Sequence, residues 1–178
     1  ITQEMIREQL NKTTGSTTFE TGKYYRIISP EYNRALTETV ATKTVPTTAP
    51  ANDLAQYWTI EKSGTGYAIK NAYTGRYIQK QNGTLSVQYK TNTTTKGAFS
   101  ITANRNYPYE LRYNIADNGQ VVLHTSASQG YNAVGWYASN GKSNFASVWY
   151  FQEVTPTQEE LDAAHKEYQY IQNAQNNE

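Results

Sequence analysis

The stretch HTSASQGYNAVGWYASNGKSNF, residues 124–145, gathers His124, Tyr131, Asn132, Trp136, Tyr137 and Asn140 into one segment. An indole or phenol ring exposed to water can stack on the apolar face of a sugar, while amide and imidazole groups hydrogen-bond its hydroxyls. The segment has a second reading, in which Trp136 or Tyr137 fills the interior or pins a loop and His124 is a satisfied structural histidine. A smaller set of the same kind is Tyr89 with Gln79 and Asn92 as polar partners.

Other chemistries have less to build on. The chain has 178 residues and no cysteine, which excludes disulfides, Cys-ligated zinc and thiol nucleophiles. Its two histidines, His124 and His165, lie far apart and show no metal-ligand spacing, so neither a metal nor a cofactor is expected. Glu31, Glu38, Asp53, Glu61, Glu110, Asp117 and Glu153 form no motif, and no pair suited to glycoside hydrolysis stands out. GxSxG, Walker and GxGxxG patterns are absent, and the expectation is a chain without catalytic activity.

The elements that must position these residues repeat. Tyr25, Tyr67 and Tyr109 are spaced 42 apart, as are Ile27, Ile69 and Leu111. Arg34 and Arg76 share the offset, as do Leu36 and Ile78, with Leu123 as the expected third member after an insertion. Each copy closes on an aromatic-x-apolar pair: Trp58 and Ile60, Phe99 and Ile101, Trp149 and Phe151. Alternation of this kind marks half-buried strands, and Gly/Asn clusters at 63–66, 81–83, 117–119 and 139–142 supply turns. Three copies of about four short strands must share one core, because none could bury its apolar face alone.

AQYWTI, residues 55–60, carries the spacing Gln56-x-Trp58, and NAYTGRYIQ, residues 71–79, resembles a glycine-turn strand pair. Together these resemble the QxW motif and strand pair of ricin-type β-trefoil domains over residues 23–153. The resemblance implies an all-β fold, a β-trefoil: a six-stranded barrel capped by three hairpins. It also implies lectin-like sugar binding through an Asp after the second strand, an aromatic platform and an Asn-Gln pair before the Trp. The Asp position falls on Thr37, Gln79 and His124. The Asn position falls on Ala55 in the first copy and on Lys96 or Ala146 in the others, while Ser147 replaces the Gln in the third. The family's polar set is therefore degenerate, although GWY, residues 135–137, stands where a platform aromatic would lie.

Both ends read as helical, giving the division 1–22, 23–153 and 154–178. The C-terminal TPTQEELDAAHKEYQYIQNAQNNE offers Thr155 or Thr157 as N-cap with Pro156 in the first turn, and an apolar stripe of Leu161, Ala164, Tyr168 and Ile171. The N-terminal TQEMIREQL presents Met5, Ile6 and Leu10. The central region holds 13 Lys/Arg and 7 Asp/Glu without a basic run, and Arg26, Arg34, Arg76, Arg105 and Arg112 are expected to be solvated or locally paired. No nucleic-acid or membrane-inserting role is expected. Tyr, Thr and Asn enrichment with a mean hydropathy of -0.78 suits an exported bacterial protein. The function expected is a glycan- or polysaccharide-binding accessory module of a larger chain, with neighbouring domains of that chain as its other partners. The competing expectation is a structural or protein-interaction module without sugar binding.

Overall fold

The computed structural model describes residues 2, 3, 5, 19–104, 106, 111–141 and 145–176. Among these described residues, twelve strands run in three sets of four. The first copy holds β1 (Tyr24–Ser29), β2 (Arg34–Leu36), β3 (Thr47–Thr48) and β4 (Tyr57–Ser63). The second holds β5 (Gly66–Asn71), β6 (Tyr77–Ile78), β7 (Thr91–Asn92) and β8 (Ser100–Ala103). The third holds β9 (Tyr113–Asn118), β10 (Val121–Ser126), β11 (Asn132–Tyr137) and β12 (Tyr150–Val154).

The outer strands of each set close a six-stranded barrel. β1 pairs with β4 and with β12, β4 with β5, and β8 with β9. Single bridges at Tyr67–Phe99 and Tyr113–Trp149 complete the circle. Closure leaves no barrel edge to pair with another chain. The middle strands form three hairpins, β2–β3, β6–β7 and β10–β11.

Repeat equivalence shows most directly at the three closing aromatics, Trp58, Phe99 and Trp149, all fully buried. Trp58 Nε1 donates to the Leu36 carbonyl at 3.0 Å, and Trp149 Nε1 to the Leu123 carbonyl at 3.1 Å. This establishes Leu123 as the counterpart of Leu36. The register expected for the start of the third copy needs correction. Tyr25 pairs with Trp58 and Tyr67 with Phe99, but Trp149 pairs with Tyr113. Tyr113 and Ile115, both buried, therefore fill the places assigned to Tyr109 and Leu111. Tyr109 lies outside the described residues, and Leu111 packs only at the core's margin.

Two features lie on the pseudo-threefold axis. At the hairpin end, Val45 N–H donates to the Tyr89 carbonyl (3.0 Å), Tyr89 N–H to that of Ala133 (2.8 Å), and Ala133 N–H to that of Val45 (3.0 Å). This cyclic triplet satisfies backbone groups that burial would otherwise strand. At the opposite end Phe19 meets all three equivalent tyrosines, with ring centroids 5.6, 5.5 and 6.1 Å from Tyr25, Tyr67 and Tyr113. Phe19 thus belongs to the barrel core although the sequence places it in the leading segment.

The C-terminal helix, Gln158–Asn176, starts with a side-chain cap from Thr157. Thr157 Oγ1 accepts from Glu160 N–H at 3.1 Å and donates to Glu160 Oε1 at 3.2 Å. Thr157 is thus the cap, and Pro156 precedes the first turn instead of lying within it. Leu161 is buried against Leu54, Tyr57 and Ala72, with Ala164 beside them, and Tyr168 and Ile171 continue the partly covered face. Gln3 and Met5 are helical, whereas Ile6 and Leu10 of the expected N-terminal helix lie outside the described residues. Among the described residues no helix is long and apolar enough to cross a membrane.

Candidate functional site

The strand registers align three sets of positions. Thr37, Gln79 and His124 each follow the core residue that ends or centres the second strand. Thr48, Asn92 and Trp136 lie diagonally across the hairpin from them, paired with Ala35, Tyr77 and Val122. Gln56, Gly97 and Ser147 stand two residues before the closing aromatic.

In the first copy this set is spent on the fold. Thr37 Oγ1 bonds the Ala35 carbonyl (2.9 Å) and Thr48 Oγ1 (2.7 Å). The Gln56 amide donates to Thr48 Oγ1 (2.9 Å) and the Ala49 carbonyl (2.8 Å), and accepts from Ala51 N–H (2.8 Å). In the second copy Gln79 is exposed, but Asn92 Oδ1 is occupied by the N–H groups of Thr94 (2.9 Å) and Thr95 (2.6 Å), a local turn. Gly97 contributes no side chain there.

The third copy differs because its facing position is aromatic. His124 pairs with Val134 and Trp136 with Val122, so His124 and Trp136 are diagonal neighbours on one face of the β10–β11 hairpin. Their rings stack with centroids 5.3 Å apart and planes 24° apart. Tyr137 meets Trp136 edge-on at 5.6 Å and keeps 47% of its surface exposed. Gly135 allows this hairpin to sit tightly: a Cβ there would lie 2.2 Å from the Thr84 carbonyl oxygen. Ser86 N–H donates to the Gly135 carbonyl at 2.9 Å in the same contact.

His124 Nδ1 lies 2.8 Å from Ser147 Oγ, and Ser147 is fully buried. Burial pushes the imidazole pKa below its ordinary 6.5, favouring the neutral ring. Because the unfolded chain protonates first, stability contributed by neutral His124 is present above about pH 6.5 and is lost as pH falls through the depressed value. His124→Asn is expected to flatten the stability profile between pH 7 and 5, as read by urea midpoints. An unchanged slope would remove His124 as its source.

The structure brings His124, Trp136 and Tyr137 together and separates them from the rest of the expected set. Tyr131 and Asn132 lie at the far end of β11, roughly 17 Å along the strand from Tyr137. Tyr131 packs instead on Tyr32 at 5.2 Å and beneath the Arg34 guanidinium at 4.3 Å, because its left-handed backbone (φ 61°) turns it towards the first copy. Asn140 lies in the helical turn Ala138–Gly141, and its side chain falls outside the described residues. Ser147 is a site residue that sequence reasoning treated only as a missing Gln.

The smaller set does not form a site. Tyr89 is fully buried on the threefold axis, and its hydroxyl donates to Asp117 Oδ2 at 3.0 Å. Its repeat counterparts are Val45 and Ala133; Asn92 is the position equivalent to Trp136. The ring therefore cannot meet a ligand.

The arginines do not converge on one patch. Arg26 donates to Asn52 (3.1 Å), and Arg34 Nε to the Thr47 carbonyl (3.1 Å). Arg76 is buried against Glu38, so it is paired but not solvated. Arg105 lies outside the described residues. Among the described residues no group of three or more His, Asp or Glu side chains could hold a metal ion.

No protein-family model matches the chain, and no curated protein matches it by sequence. Solved structures do. A ricin B-like lectin from Macrolepiota procera, crystallised with lactose, superposes with a TM-score of 0.63 at 16% identity, covering 78% of this chain and 100% of that one. The designed threefold-symmetric protein ThreeFoil gives 0.61 at 13% identity, covering 74% and 99%. An endo-β-galactosidase from Clostridium perfringens gives 0.62 at 16% identity, with 75% of this chain matching 33% of the enzyme. Likeness at this identity shows a shared architecture: the chain has the β-trefoil fold of ricin B-like lectins.

Proposed function

We propose that the chain is a non-catalytic, lectin-like module that binds carbohydrate through its third copy, as an accessory part of a larger exported bacterial protein. The observation that carries this reading is Tyr137, a half-exposed ring set against the Trp136–His124 stack where the other copies hold Thr and Asn. Tyr137 would cover the apolar face of a pyranose, and Trp136 would hold it in place. The outer polar groups of the hairpin would meet sugar hydroxyls. The lactose-bound Macrolepiota lectin makes galactosides the first ligands to try.

A glycan array on the full chain tests this, followed by titration of any hit. Tyr137→Ala is expected to weaken binding on the order of tenfold, about 1.4 kcal/mol, without changing stability. The closed polar set of the first copy favours a second reading, a degenerate trefoil that positions neighbouring domains. An empty array would leave that scaffold reading as the better one, and full binding by Tyr137→Ala would remove the third copy as the sugar site.

A further inference from the structure

The C-terminal helix roofs two adjoining clefts that the trefoil alone would lack. One, of about 700 Å³, is lined by Tyr24, Thr59, Tyr73, Tyr168, Gln169 and Gln172 among others. The other, of about 440 Å³, opens on the far side of Tyr168 and is lined by Lys43, Arg76, Asn92, Gln172, Gln175 and Asn176 among others. Both volumes fall in the range of small-ligand sites. Tyr168 and Gln172 form the wall shared by the two.

The helix is fixed against this surface. Leu161 anchors its first turn, His165 Nε2 lies 2.8 Å from the Ala72 carbonyl, and Tyr73 Oη donates to Glu167 Oε1 at 2.8 Å. Tyr168 packs on Tyr73 at 5.6 Å and under Arg76 at 5.8 Å.

What faces the clefts is chemically uniform. Tyr168, Gln169, Gln172, Gln175 and Asn176 recur at the spacing of one helix face. A face made only for packing would be apolar; this one carries four amides. The side-chain amides of Gln169, Gln175 and Asn176 have no hydrogen-bond partner among the described residues, and that of Gln172 donates only to Tyr168 Oη, at 3.2 Å. Opposite them, three buried polar atoms also lack partners: Thr59 Oγ1 at the larger cleft, Arg76 Nε and Asn92 Nδ2 at the smaller. Arg76 is only 3% exposed, so its Nε is an unspent donor inside the wall. These three atoms are closed off from the cleft space, so the groups a ligand would meet are the exposed amides of the helix face, each able to donate to and accept from a hydroxyl.

Charge narrows the class. Glu61 pairs with Lys70 at 4.0 Å and Glu38 with Arg76, leaving Lys43 as the one lining cation without a described partner. That is too little charge for a phosphate chain or nucleic acid. The lining mixes strand residues with loop residues at 40–43, 72–75 and 93–94 and the polar helix face, not the continuous apolar groove that captures an amphipathic helix. We propose that the C-terminal helix and the second copy build an oligosaccharide-binding cleft around Tyr168, separate from the third-copy site.

The test is an NMR titration of the isotope-labelled full chain with lactose, cellotetraose, xylotetraose, maltotetraose and chitotetraose at millimolar concentration. At least one sugar is expected to shift the side-chain amide signals of Asn92, Gln169, Gln172 and Gln175 saturably. Gln172→Ala, an exposed and foldable change, should weaken that response on the order of tenfold. Tyr137→Ala should leave it within about twofold, which separates this cleft from the third-copy reading. The proposal fails if no sugar moves those amides, if every response is confined to residues around Trp136 and Tyr137, or if Gln172→Ala titrates as the parent does.

Discussion

Arg76→Met is expected to destabilise the fold by about 3–5 kcal/mol near neutral pH, the cost of leaving a buried carboxylate without its cation. Arg76 Nη2 bonds Glu38 Oε1 at 2.5 Å, with side-chain exposures of 4% and 0%. Thr91 Oγ1 donates to the same oxygen at 2.8 Å, and Arg76 Nη2 also reaches the Val40 carbonyl at 3.1 Å. Glu38 follows β2 of the first copy, whereas Arg76 and Thr91 belong to the hairpin of the second, so the pair locks a seam between copies. Burial already holds the Glu38 carboxyl above its ordinary 4.5, outweighing the favourable pull of Arg76. Removing the guanidinium raises it further.

The direction with pH follows. A carboxyl whose folded pKa is raised contributes stability that is complete below the unfolded value and is lost as pH rises through the folded one. The penalty of Arg76→Met should therefore be small at pH 4 and large at pH 7, as read from urea unfolding. Glu38→Gln combined with Arg76→Met should recover much of the loss, since both charges then leave the interior. An equal loss at both pH values would mean that lost packing, not the stranded charge, is responsible.

The same residues mark what the sequence could show. The 42-residue offset between the first two copies was readable because Arg34 and Arg76, and Leu36 and Ile78, keep both type and spacing, while Trp58 and Phe99 keep type and fall one residue short of it. In the third copy a coincidence misled: Tyr109 and Leu111 fit the offset, but pairing is decided by Trp149, which reaches Tyr113 four residues later. Arg34 and Arg76 have no third partner, because Val121 stands at their place in β10. Their pairing was foreseeable from the repeat; the burial of Arg76 was not, since its partner Glu38 lies on a different copy at no fixed spacing.

The axial residues were illegible for a different reason. Val45, Tyr89 and Ala133 are 44 positions apart but share no side-chain character. What they share is a backbone ring, which any residue except proline can make. Phe19 carries a similar lesson, as its position depends on three tyrosines converging in space. For the site, type and spacing found Trp136, Tyr137 and His124 because all three lie on one hairpin. They could not exclude Tyr131, since an even or odd position on a strand is legible but a left-handed turn at the residue just before it is not.

Tyr89→Ala gives the sharpest contrast between the sequence's reading and the fold's. As a ligand-stacking ring, Tyr89 could be truncated with little loss of stability. As the largest of the three axial side chains it fills space that Val45 and Ala133 leave open, and all three are fully buried. Truncation leaves a cavity at the centre of the hairpin cap, and the expected loss is about 3–5 kcal/mol. The hydroxyl adds a separable part: Tyr89→Phe keeps the packing but removes the donor to Asp117 Oδ2, for an expected loss of about 1.5–3 kcal/mol. Asp117 is itself 1% exposed and would retain only the Gln81 N–H at 2.8 Å on that oxygen. Thermal and urea unfolding of the two variants should rank alanine well below phenylalanine, and phenylalanine below the parent. A Tyr89→Ala protein of undiminished stability would mean that the ring is not the axial keystone of the three hairpins.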